Sequence, residues 1–248
     1  MAKVLVFSDI HDDFISENAE KRLKQRFESA SPDLVATLGD IRKNAIRFIA
    51  ETVAKYSIPV VSVRGNHDPY PLTEVPQVID MHRKVGRFSG ITIAGIEGCV
   101  KYAKSENHPA GYDDSNAGIV LDEGDYTKEK DYSWVVENFT SPDGMFIGKL
   151  PEGIDLLMLH CAPVNGRSWP HESPPTLTRL LYTQHPKTVV HGHLHRDIEY
   201  IFNPDKNPVR LINVYTPNPF DSAETAGKMV KIPNSGIQSQ LNHEIVAS

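Results

Sequence analysis

Three short runs near the start of the chain, residues 3–8 (KVLVFS), 33–38 (DLVATL) and 59–63 (PVVSV), are largely apolar and rich in leucine and β-branched residues. Runs of this length suit strands buried on both faces, and strands of that kind belong to parallel sheets. Between them lie charged amphipathic stretches, 17–29 and 43–56, that read as helices. The order strand, helix, strand, helix, strand implies right-handed crossovers, and it predicts an α/β fold whose ligands bind at the carboxyl ends of the strands.

The second half changes character. Residues 85–96 read as strands around a Ser89-Gly90 turn, 154–159 (IDLLML) and 187–190 (KTVV) as two more buried strands, and 196–202 with 208–214 as a hairpin across Asn203-Pro204-Asp205. Residues 98–127, rich in Gly, Asp and Tyr, read as a long loop or insertion. A chain of 248 residues fits one large domain that buries about three-quarters of its unfolded surface. We place that domain at 1–220, leaving 221–248 unassigned because it shows no period.

The apolar runs are followed by residues that bind metals. The blocks are Asp9-Ile10-His11, Gly39-Asp40, Gly65-Asn66-His67-Asp68, His160, and Gly192-His193-Leu194-His195. A parallel sheet would gather them at one end. Side chains two apart on a strand share a face, so Asp9 and His11 are expected to grip one ion together, and the same geometry serves His193 and His195. Gly192 is expected to allow a tight turn just before them. The donors are nitrogen and oxygen without thiolate, which suits two divalent ions of Mn, Fe, Zn, Co or Ni. Mn is favoured over Mg because imidazole is a poor ligand for Mg.

These five blocks, in this order, resemble the calcineurin-like metallophosphoesterase family, whose pattern is Asp-x-His, Gly-Asp, Gly-Asn-His-Asp/Glu, a lone His, and Gly-His-x-His. One block alone is weak support, whereas five in order over residues 9–195 are specific. The resemblance implies two facing mixed β-sheets flanked by helices. It also implies that Asp9, His11, Asp40 and His195 hold one ion, and that Asp40, Asn66, His160 and His193 hold the other. Asp40 would then be the carboxylate between two mutually repelling dications. His67 would be the leaving-group acid or transition-state stabiliser, with Asp68 orienting it.

Two dications and two carboxylates leave a cationic pocket, which a phosphate ester fills. With a hydroxide added the sum is about +1, closer to the single charge of a diester than to a monoester. The expected substrate is therefore a small or nucleotide-like phosphodiester, with phosphomonoester hydrolysis or a non-catalytic scaffold role as alternatives. The second block continues Ile41-Arg42-Lys43-Asn44, unlike the Gly-Asp-x-x-Asp-Arg-Gly of protein Ser/Thr phosphatases. Many relatives carry Gly where this chain has Asp12.

Net charge is −6 and no basic run could follow a nucleic-acid backbone, which argues against nucleic-acid binding. Residues 1–7 are too short an apolar run for a signal peptide or a membrane span, so no membrane partner is expected. Two cysteines, Cys99 and Cys161, suit a reducing compartment, and the expectation is a cytoplasmic protein. Oligomeric state has no signature in the sequence. His82, His108 and His185 stand outside the blocks, and His191 reads as a structural neighbour of the ligands. Arg42 and Arg64 read as salt-bridge partners before phosphate contacts, Cys161 as a small buried residue, and the 161–175 loop with Arg167, Trp169 and His171 as a packed proline-rich loop.

Overall fold

In the computed structural model, residues 1–11, 18–65, 67–100, 120–121, 149–163, 175–202, 206–217 and 226–233 are described. The first sheet is built from β1 (Ala2–Phe7), β2 (Leu34–Thr37), β3 (Val60–Ser62), β4 (Val78–Asp80) and a strand from the C-terminal segment, Lys228–Ile232. β1 to β4 run parallel, with Val4 opposite Leu34 and Val35 opposite Val60. The late strand closes the other edge antiparallel to β1, Val4 opposite Val230. Part of the segment that has no visible period in the sequence is thus a strand, too short at five residues to set a pattern of its own.

β5 (Lys84–Phe88) and β6 (Ile91–Ile96) form an antiparallel pair across the Ser89-Gly90 turn, as their spacing suggests. β7 (Cys99–Val100) and β8 (Val120–Leu121) form a separate two-stranded parallel pair. With β9 (Leu156–Leu159), β10 (Thr188–His191), β11 (Ile198–Phe202) and β12 (Val209–Asn213), β5 and β6 make a second sheet in the order β11, β12, β10, β9, β6, β5; the strand Lys228–Ile232 is β13. β6, β9, β10 and β12 run parallel to one another, and β5 and β11 are antiparallel edges on β6 and β12.

Alternation along each strand sorts side chains into layers. Val4, Val6, Leu34, Ala36 and Val61 face Ile93, Leu156, Met158, Val190 and Ile212, all buried in one layer between the sheets. The opposite faces carry Leu5, Phe7, Val35 and Val60 against Leu23 and Phe27 of α1 (Ala19–Ala30) and Ile46, Ile49 and Val53 of α2 (Lys43–Ala54). On the second sheet, Leu157, Leu159, Val189 and Leu211 pack on Leu177, Leu180 and Leu181 of α3 (Pro175–Thr183), a helix the sequence reading left out. Each such aliphatic side chain contributes about 1.5–3 kcal/mol by leaving water. The result is two facing mixed sheets flanked by helices. Among the described residues no helix is long and apolar enough to cross a membrane.

Candidate metal centre

The strands stop where the chemistry begins. β1 ends at Phe7, and Ser8 is held by Thr216, whose hydroxyl accepts from the Ser8 amide at 2.9 Å and donates to the Ser8 carbonyl at 2.7 Å. Asp9 then turns into the left-handed region at φ 56°, its amide bonded to the Gly39 carbonyl at 3.1 Å. Its carboxylate accepts from Ser8 Oγ at 2.7 Å and from the His193 amide at 3.1 and 3.2 Å. Beyond β2, Asp40 is left-handed too, at φ 50°. Its Oδ1 accepts from the His67 amide at 2.8 Å, and its Oδ2 lies 3.3 Å from His160 Nε2.

Two clusters result. Asp9, His11 and His195 each offer one ligand atom within 4.8 Å of the other two, and so do Asp40, His160 and His193. Their chemistry calls for cations. His160 Nδ1 sits 2.8 Å from the Leu38 carbonyl, which can only accept, so that nitrogen carries the proton and Nε2 turns a lone pair on the Asp40 carboxylate. In the other cluster His11 Nε2 and His195 Nε2 face each other at 3.2 Å, with Asp9 Oδ1 at 3.4 Å from His195. Lone pairs converging in this way repel unless a proton or a metal lies among them. The residues present therefore fit a pair of ions.

The reason the ligands converge is not strand alternation. Asp9, Asp40, His193 and His195 all lie beyond strand ends with φ between 47° and 68°, conformations uncommon in residues other than glycine. His193 and His195 consequently part company: the first joins Asp40 and His160, the second joins Asp9 and His11. Gly192 is needed less for a turn than for proximity, since a Cβ there would lie 2.0 Å from Ser8 Oγ and 2.7 Å from Asp9 Oδ2. Gly39 has φ 89°, and its Cβ would meet the Gly65 amide nitrogen at 2.0 Å, so the two ligand loops touch through glycine.

His67 brings its ring to 6.4 Å from that of His11, on the side of the exposed cluster. Asp68, expected to orient His67, accepts the amides of Asp40 and Gly65 at 2.8 Å and of Ile41 at 3.0 Å, which ties the 65–68 loop to the loop of Asp40. Asn66 lies outside the described residues, as do Asp12, Arg167, Trp169, His171 and His108. Arg64 forms a two-pronged pair with Glu97 at 2.8 Å on each arm, and Arg42 donates through Nε to the His11 carbonyl at 3.1 Å. His191 is wholly buried beneath the second cluster's loop, and Cys161 is buried against α3. His82 meets Glu97 and His185 meets Asn207, neither within the clusters.

Electrostatics follow the packing. Burial pushes the Asp68 carboxyl up to about 7, against the pull of its amide donors. Burial raises Asp40 as well, but without metal a positively charged, protonated His160 beside it, together with the His67 amide, more than reverses this and holds it well below the usual carboxylate range; with an ion bound, the cation takes the place of that proton. In the first cluster burial raises Asp9, and its bond to His195 leaves it lowered overall. The same bond raises His195, while burial lowers His11, so the two facing imidazoles differ in their hold on a proton. Sequence reasoning missed Ser8, Thr216 and Tyr215, which bear on Asp9 and His195 without being ligand types. Their only signal is position, at the ends of β1 and β12 where the ligands also lie.

No curated protein matches the chain by sequence. Among solved structures, the phosphopantetheinyl hydrolase PptH from Mycobacterium tuberculosis is 15% identical with a TM-score of 0.51, over 87% of this chain and 90% of its own. YfcE, a phosphoesterase from E. coli, is 11% identical with a TM-score of 0.40, over 94% of this chain and 98% of its own. Residues 2–197 match the family described as calcineurin-like phosphoesterase. That stretch contains every ligand block, and the chain belongs to the calcineurin-like phosphoesterases, a family dependent on paired metal ions.

Proposed function

We propose that the chain is a dinuclear metal-dependent phosphodiesterase acting on small or nucleotide-like phosphate esters. Asp9, His11, Asp40 and His195 hold one ion, and Asp40, Asn66, His160 and His193 the other, with Mn the best match to the imidazole-rich set. The carrying observation is the pair of convergent lone-pair clusters on loops at the same ends of both sheets. Bound divalent ions supply positive charge and make water acidic enough to attack phosphorus near neutral pH.

The chain's own groups do the rest. Asp40 is buried and braced by the His67 amide, and its loop is fixed by Asp68 through two backbone bonds, with a third holding Gly65. Asp68 is therefore a positioning residue. His67 stands beside the exposed cluster and donates a ring proton to the leaving oxygen as the P–O bond breaks. The diester preference draws support from Arg64, whose charge is matched by the buried Glu97 carboxylate instead of being offered to a second phosphate charge. The kcat/KM ratio of bis(p-nitrophenyl) phosphate to p-nitrophenyl phosphate, at fixed Mn and pH, tests this. Diester turnover at least equal to monoester turnover is expected, and a monoester preference above about tenfold, or 1.4 kcal/mol, overturns it.

A further inference from the structure

His195 is a ligand with little support from burial: its side chain is 50% exposed, whereas the Asp9 carboxylate beside it is fully buried. One face of its imidazole is nonetheless covered. The Tyr215 ring lies on it at 5.2 Å between centroids and 15° between planes, a stacked arrangement. Tyr215 is itself half-buried and follows directly from β12, where the Val214 amide is bonded to the His191 carbonyl at 2.8 Å. The next residue, Thr216, crosses to the other sheet. It makes three bonds to Ser8, through its amide at 3.1 Å and its hydroxyl at 2.7 and 2.9 Å, and Ser8 Oγ in turn donates to Asp9 at 2.7 Å.

We infer that Tyr215-Thr216 is a clamp on the first metal site, Tyr215 fixing the ring of His195 and Thr216 fixing Asp9 through Ser8. The inference rests on the two-ion reading above. Neither residue is a ligand, and the contacts just described lead to His195 and Asp9, so the clamp serves the ion those two hold. The stack orients the imidazole with Nε2 toward Asp9 and His11. An aromatic face also favours the partial positive charge that an imidazole gains when it binds a cation.

Calorimetric titration of the full-length, metal-free chain with Mn2+ alone tests the clamp. Wild type should bind two ions. Tyr215→Ala should weaken one of them by about 10–100-fold and leave the other unchanged, the usual range for losing a residue that orients a ligand. Tyr215→Phe, which keeps the ring and drops the hydroxyl, should bind as wild type does. Should the alanine variant misfold by circular dichroism, Tyr215→Leu fills the space without a π face and should show the same selective loss. Thr216→Val should weaken that same ion, and combining it with Tyr215→Ala should cost less than the two separate losses added. Two full-affinity ions in both the Ala and Leu variants, or a Phe variant as weak as Ala, overturns the clamp. A wild-type chain that binds fewer than two ions overturns the two-ion reading instead.

Discussion

The two ligand clusters differ in what holds them. Asp40 and His160 are buried, and each is fixed by the backbone of a neighbouring loop: Leu38 sets the His160 tautomer, while the His67 amide and Asp68 brace Asp40. In the other cluster only Asp9 is buried, while His11 and His195 are exposed imidazoles supported by a ring stack and a carbonyl contact from Arg42. The same metal-ligand chemistry is thus built once into a rigid floor and once into a rim. A floor ligand answers to the fold, and a rim ligand answers to solvent and substrate.

The largest expected effect removes both sites. Dialysis against excess chelator should take hydrolysis to background, with Mn restoring it better than Mg, and Asp40→Asn should lose metal from both sites where Asp9→Asn loses less. Two ions still present by metal analysis in the Asp40→Asn chain would end the idea that this carboxylate serves both. Next comes His67→Ala, expected to lower kcat by about 10²–10⁴-fold with metal content intact. The loss should shrink for nitrophenolate leaving groups. An equal loss for poor leaving groups would replace the acid role with charge stabilisation.

The third test separates floor from rim. His160→Ala removes the group that satisfies the buried Leu38 carbonyl, so urea unfolding of the metal-free chain should show a loss of about 1–3 kcal/mol. His11→Ala, at an exposed position, should change metal-free stability by no more than about 0.5 kcal/mol. Equal losses would erase the distinction. The smallest effect is in affinity: Mn should leave the rim site first on dilution, at a Kd higher by about tenfold, or 1.4 kcal/mol. Two indistinguishable sites in the wild-type titration would count against it.

Much of this was legible in the chain. The apolar runs ending in Asp and His mark β1, β2, β3, β9 and β10; the order of the first three predicts a parallel sheet with ligands gathered at one end, while the second facing sheet was implied only by the family resemblance. The local geometry was not legible. Alternation alone would put His193 and His195 on one ion, whereas the family resemblance already implied two; left-handed backbone at both sends them to different clusters, and φ is set by tertiary contacts that no short window contains. Asp68 illustrates the same limit, since its role depends on the amides of Asp40 and Ile41, which are distant in sequence. β13 and α3 escaped because a five-residue edge strand and a nine-residue helix carry too little pattern to stand out.

Each cluster draws on both sheets: Asp9 and His11 follow β1 while His195 follows β10, and Asp40 follows β2 while His160 and His193 follow β9 and β10. A bound ion is therefore a rivet through the sandwich, and its binding energy belongs to the fold as much as to the chemistry. An ion that is present at 100 times its dissociation constant, and that has no affinity for the unfolded chain, adds about 2.7 kcal/mol to stability. Thermal tolerance then becomes a property of the ion supply. On the two-ion reading, two samples of identical sequence, one exposed to chelator and one to Mn, should melt at different temperatures, so that scarcity of metal costs the fold as well as the proposed chemistry.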